Sequence, residues 1–94
     1  MQVFWLENSE KSLEQIADYI ALDNIRAADK LISKIRSMAK NLADFPLMGR
    51  EGSVAGTREI VAHKNYIMVY RVRKNAIEIL YVYHSARNWE GGLY

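Results

Sequence analysis

The chain has no cysteine, one proline and two histidines in 94 residues. Without cysteine there are no disulfides, thiolate nucleophiles, iron-sulfur clusters or thiolate zinc sites, which fits a reducing compartment. His63 and His84 do not form an H-x-x-x-H pair and no carboxylate array accompanies them, so no metal and no cofactor is expected. Apolar runs fall well short of the roughly 18 residues a membrane helix needs, because Arg71, Arg73 and Glu78 interrupt the most hydrophobic windows. Met1 to Ser9 carry acidic Glu7 and no basic segment, so no secretory signal is expected either. The expectation is a cytoplasmic protein with no membrane partner. The glycines of 46–56 are not followed by Gly-Lys-Ser/Thr, and no serine sits in G-x-S-x-G, which argues against a phosphate loop and a serine hydrolase.

What is present suits one globular domain, residues 1–94: half of the residues are hydrophobic and 11% are aromatic. The net charge is only +2, but its sign is segregated. Residues 1–23 hold Lys11 against Glu7, Glu10, Glu14, Asp18 and Asp23, whereas residues 24–94 hold 12 basic and 6 acidic side chains. The cationic part could face a polyanion or an acidic partner, or simply be a solvated surface.

Gln2-Val3-Phe4-Trp5-Leu6 reads as a strand ending at a capping cluster, Glu7-Asn8-Ser9. Leu13, Ile16, Ala17 and Ile20 then follow the spacing of an amphipathic helix, and Asp23-Asn24 supplies a turn and a new N-cap. From 25 to 43 a second helix is predicted. Ala28, Leu31, Ile32, Ile35, Met38, Ala39 and Leu42 share one face, and Arg26, Lys30, Lys34, Arg36 and Lys40 lie on the opposite side. Phe45-Pro46 ends it, because proline disfavours helix at the residue before it. Residues 46–56 read as a loop. Thr57 to His63, Tyr66 to Arg73 and Ala76 to Tyr83 read as strands joined by the short turns Lys64-Asn65 and Lys74-Asn75. The predicted fold class is α+β: strand, helical hairpin, then a three-stranded antiparallel meander (β-α-α-β-β-β), with the helices packed on one face of the sheet.

The chemistry-bearing residues of the sheet half are Arg50, Arg58, Arg71, Arg87 and His84, with Tyr66, Tyr70, Tyr81 and Tyr83. Such a set could grip phosphates and stack bases. Each has a plainer role open to it. Alternation sends about half of the tyrosines into the core. Arg71 and Arg73 share a face and can pair with Glu78 or Glu59. His84 at a strand end can be a structural hydrogen-bonding residue, and Trp89 an anchor for the tail. Arg50 and Arg58 border a loop, where binding residues concentrate.

Five segments in order resemble the RelE/ParE superfamily of toxins from bacterial type II toxin-antitoxin systems. They are Tyr19-Ile20-Ala21 with Ala27-Ala28, Leu42-Ala43-Asp44-Phe45-Pro46-Leu47-Met48-Gly49-Arg50, Gly56-Thr57-Arg58-Glu59-Ile60, Tyr66-Ile67-Met68-Val69-Tyr70-Arg71-Val72, and Ile79-Leu80-Tyr81-Val82-Tyr83-His84-Ser85-Ala86-Arg87-Asn88-Trp89. The resemblance covers nearly the whole chain and implies the same fold. It also implies a cognate antitoxin: small, acidic, partly disordered and with a DNA-binding N-terminus, so that operator DNA is met only through it. Its docking surface is expected on Arg26, Lys30, Lys34, Arg36 and Lys40, since a cationic face attracts an acidic partner.

Two activities occur in that superfamily. RelE-like members cleave messenger RNA on the ribosome with cations placed where charge develops. Aligned on the Tyr66 to Tyr70 segment, this chain has Arg58 at one basic position of that pattern. It has Ile60, Ile67 and Ser85 where other basic groups are expected. ParE-like members inhibit DNA gyrase by protein contact, and the sparse cations and modest net charge resemble that side. The expectation is a ParE-like gyrase inhibitor, leaning away from an enzyme, with Arg50, Arg58, Arg71, Arg87 and Trp89 as target-binding residues. The alternative is a ribosome-dependent endoribonuclease using Arg58, His84 and Arg87, and a second alternative is a stand-alone nucleic-acid-binding module.

Overall fold

The structure is a computed structural model that describes residues 1–86. Along the chain it forms β1 (Gln2–Trp5), α1 (Glu7–Ala21), α2 (Ile25–Leu42), β2 (Arg50–Glu51), β3 (Arg58–His63), β4 (Tyr66–Arg73) and β5 (Ala76–His84). The α+β arrangement expected from the sequence is present, with one addition. Part of the predicted loop 46–56 is a two-residue strand, β2, antiparallel to β3 with Arg50 opposite Glu59. The five strands make one mixed sheet in the order β1-β5-β4-β3-β2. β3, β4 and β5 are the antiparallel meander, and β1 runs parallel to β5 at the far edge, with Val3 opposite Ile77.

α1 begins at Glu7, with Leu6 at the N-cap and no side-chain cap. The residues read as a capping cluster therefore form the first turn. Ser9 is fully buried there and its Oγ donates to the Leu6 carbonyl at 2.6 Å, while Glu7 and Glu10 complement the positive end of the helix dipole. α2 starts as expected, with the Asn24 Oδ1 accepting from the Ala27 N–H at 3.0 Å, and its Ala28, Leu31, Ile35, Ala39 and Leu42 are all buried.

Both helices cover one face of the sheet. Leu13 of α1 and Leu31, Ile35, Ala39 and Leu42 of α2 pack with Ala62, Tyr66, Met68, Tyr70, Ile77, Ile79 and Val82 from the strands. Each fully buried aliphatic side chain of this kind contributes on the order of 1.5–3 kcal/mol. Ser12 ties α1 to the sheet: its Oγ accepts from the Val82 N–H at 3.0 Å and donates to the Ser9 carbonyl at 2.9 Å.

In the β4–β5 pairing Tyr70 opposes Ile79 while Val69 opposes Tyr81, which leaves Leu80 as an extra residue in a bulge. The β4–β5 turn has Lys74 at φ 51° and Asn75 at φ 61°, the left-handed pair of a two-residue hairpin loop. No helix among the described residues is long and apolar enough to cross a membrane.

Candidate functional site

The sheet face turned away from the helices is the open one. Strand alternation places Glu59 of β3, Val69 and Arg71 of β4 and Tyr81 of β5 on it. Together with the start of α1 and the loop at Val54–Thr57, these residues line a cleft of about 660 Å³. The bulge at Leu80 shifts the phase of β5, so Glu78, Tyr81 and Tyr83 all point to this side while Ile77, Ile79 and Val82 remain in the core.

Charges on this face come in matched pairs. Arg71 donates from Nε to Glu78 Oε1 at 2.6 Å, directly across the β4–β5 ladder. Arg50 donates from its terminal guanidinium nitrogen to Glu59 Oε1 at 3.2 Å. The second pair is lopsided: the Glu59 side chain is 8% exposed and that of Arg50 71%. Beside it, Tyr81 and Tyr83 stack with centroids 5.8 Å apart. Burial first, and the Glu59 carboxylate second, push the Tyr83 hydroxyl above its ordinary range, while Arg50 pulls the other way.

The residues anticipated from the sequence do not all meet here. Arg50 and Arg71 share the cleft face. Arg58 does not: it opposes Tyr70, a core residue, and its guanidinium donates to the Gly49 carbonyl at 2.7 Å, clamping the loop before β2. His84 opposes Tyr66, packs edge-on against that ring at 5.0 Å, and its Nδ1 accepts from the Ala86 N–H. Arg58 and His84 therefore flank β4 at Tyr70 and Tyr66, roughly 13 Å apart along the strand at about 3.4 Å per residue. Arg87 and Trp89 lie outside the described residues. As expected, half of the four sheet tyrosines, Tyr66 and Tyr70, serve the core.

On α2, Arg26, Lys30, Lys34 and Lys40 are exposed. Arg36 departs from the expected free cationic face. It bonds Glu10 of α1 at 2.9 Å and lies over the Trp5 ring at 4.8 Å, because α1 and β1 pack along that flank of the helix. Sequence reasoning did not single out Glu59 as a site residue. Its only signal was its position in a β-strand directly after Arg58, and its partner Arg50 lies on β2, which has almost no signature of its own.

The family model for the ParE toxin of type II toxin-antitoxin systems, parDE, matches residues 3–89. Y4kP of Sinorhizobium fredii, a protein designated a candidate toxin, is 34% identical over 89 residues, covering 94% of this chain and 92% of its own. Toxin RelE2 of Caulobacter vibrioides is 31% identical over 86 residues, covering 92% of this chain and 97% of its own. Among solved structures, one of the chromosomal ParDE toxin-antitoxin system from P. aeruginosa superposes with a TM-score of 0.78 at 25% identity, covering 89% of this chain and 95% of that one.

Proposed function

The chain belongs to the ParE toxin family of type II toxin-antitoxin systems, and from that premise we propose that it inhibits growth by contacting DNA gyrase rather than by cutting messenger RNA. Charge compensation in the cleft carries this reading. Cleavage at a 2′-hydroxyl needs cations aimed at the developing phosphorane, and loss of one such donor typically costs about a hundredfold to a thousandfold in rate. Here the Arg50 and Arg71 guanidiniums are already engaged by Glu59 and Glu78, and those carboxylates would repel a phosphate. Arg58 and His84 are engaged elsewhere, Arg58 with the Gly49 carbonyl and His84 with the Ala86 N–H. A protein target makes no such demand: paired arginines and stacked tyrosines are the side chains that anchor protein interfaces. Arg50, Arg71, Tyr81 and Tyr83 are then the contact set, with Arg58 holding the adjoining loop in place; Arg87 and Trp89, outside the described residues, stay candidates on the family resemblance alone.

Membership of the family implies a cognate antitoxin. An acidic, partly disordered antitoxin whose DNA-binding N-terminus meets the operator suits the exposed Arg26, Lys30, Lys34 and Lys40 of α2. Both proteins would meet in the cytoplasm.

The test is a gyrase supercoiling assay with purified toxin beside primer extension on translated messages after induction. Impaired supercoiling with intact messages is expected, and Arg50→Ala should weaken inhibition without unfolding the protein. Codon-specific cuts with unaffected gyrase would establish the second reading, a ribosome-dependent endoribonuclease. That reading draws on the similarity to a protein named RelE2 and would give the working roles to Arg58, His84 and Arg87.

A further inference from the structure

A second concave site lies on the helix side of the molecule, away from the cleft. It is a pocket of about 380 Å³ between the helical hairpin and the β3–β4 turn. Lys30 and Lys34, one helical turn apart on α2, form one wall, and His63 and Lys64 form the other. Its floor is apolar, made by Ile20, Leu31 and the ring of Tyr66. No carboxylate lies within ion-pair distance of Lys30, Lys34 or Lys64 among the described residues. That is the reverse of the cleft, where both arginines are neutralised. Lys64 moreover occupies a left-handed backbone position, φ 49°, which costs a non-glycine residue on the order of 1 kcal/mol.

We propose that this pocket receives an acidic side chain of a polypeptide partner together with its apolar neighbour, and that His63 makes the capture pH-dependent. The proposal rests on reading α2 as the antitoxin-facing helix. The unneutralised cations select an anion. The apolar floor selects a polypeptide over a nucleic acid, whose phosphate backbone has nothing to place on Ile20 and Leu31. The groups facing His63 are Lys30 and Lys34 from α2, Lys64 from the turn and Tyr66 from β4; α1 contributes only Ile20 to the pocket. Partial burial, then Lys34 and Lys64, hold the imidazole below its ordinary value. A bound carboxylate reverses the sign of that field, so binding takes up a proton and affinity rises as pH falls toward the range where the carboxylate itself protonates, about 4.3.

Two probes separate this pocket from the antitoxin reading. One is the cognate antitoxin that family membership implies, titrated by calorimetry at pH 5.5 and 7.5. The other is the blocked peptide acetyl-Leu-Glu-Leu-amide, followed by NMR on the His63 imidazole with inorganic phosphate as competitor. Lys34→Glu and Lys64→Glu should each weaken antitoxin binding at least about tenfold more than Lys74→Glu, which changes net charge equally at a distant turn. Wild-type affinity should be higher at pH 5.5, and His63→Gln should level the two pH values. The peptide should raise the His63 pKa and resist displacement by phosphate.

Pocket variants no worse than Lys74→Glu, a His63 signal indifferent to the peptide, or phosphate outcompeting it would each overturn the assignment. So would a His63 shift that follows toxin concentration instead, since that gives the pocket to a second copy. If the peptide titrates His63 but the antitoxin does not bind, the pocket stands and the antitoxin reading falls. If the antitoxin binds and the pocket variants do not weaken it, the reverse holds.

Discussion

The Tyr70 hydroxyl accepts a hydrogen bond from the Gly49 N–H at 2.9 Å and donates one to the Pro46 carbonyl at 2.8 Å, so a core tyrosine of β4 holds down the loop that leads into β2. The contact is so close that a Cβ on residue 49 would lie 2.8 Å from that hydroxyl and from the Glu59 carbonyl. Gly49→Ala should therefore destabilise the fold by about 1–3 kcal/mol through overpacking. Tyr70→Phe should cost a similar amount, because it leaves buried backbone groups unsatisfied. Urea denaturation of both variants checks this; a wild-type midpoint for Gly49→Ala would mean the loop is free to shift.

Ile35 is completely buried and Leu31 nearly so, both facing the sheet from α2. An aspartate at either position places an unpaired charge in the core at a cost of several kcal/mol, comparable with the whole stability of a small domain. Circular dichroism of Ile35→Asp should show no cooperative melt.

Ser12→Ala removes the acceptor for the Val82 N–H, and Val82 is 3% exposed. About 1–3 kcal/mol should be lost, since water cannot easily replace the hydroxyl at that position. Hydrogen exchange of the Val82 amide gives the direct readout: it should speed up more than that of its neighbours on β5.

His63 makes stability pH-dependent. Its pKa is lowered in the folded protein by burial, Lys34 and Lys64. The unfolded chain therefore binds the proton more readily, and its contribution to stability is complete above about 6.5 and lost as pH falls through the folded pKa. Thermal melts of wild type and His63→Gln should converge in slope above pH 7 and diverge below 6, with wild type falling faster.

The elements with strong periodicity could be read from the chain alone. α2 carries its buried face as an uninterrupted helical pattern from Ala28 to Leu42, and β3 to β5 are bounded by two-residue turns with lysine and asparagine. β2 could not be read in this way, since a two-residue strand has no period and exists only because Arg50 and Glu51 find β3. The same reason hid the Arg50–Glu59 pair. Arg36 sits on the polar side of its own helix, and only the crossing of α1 and β1 turns it from a free cation into a partner of Glu10 and Trp5. His63 and Lys64 join Lys30 and Lys34 through the register of a hairpin against a helix, which spacing along the chain does not reveal.

The parallel pairing of β1 with β5 bears on when the fold of this chain is completed during its own synthesis. β1 emerges from the ribosome first, yet its one partner among the described strands is β5, the last of them to be translated. Until β5 arrives, Leu13 of α1 lacks Ile77, Ile79 and Val82 to pack against, although β3 and β4 can already meet α2, and the cleft lacks the wall made by Leu80 and Tyr81. A message truncated upstream of the β5 codons thus yields an unfinished chain with an incomplete cleft and exposed apolar surface, a substrate for proteases.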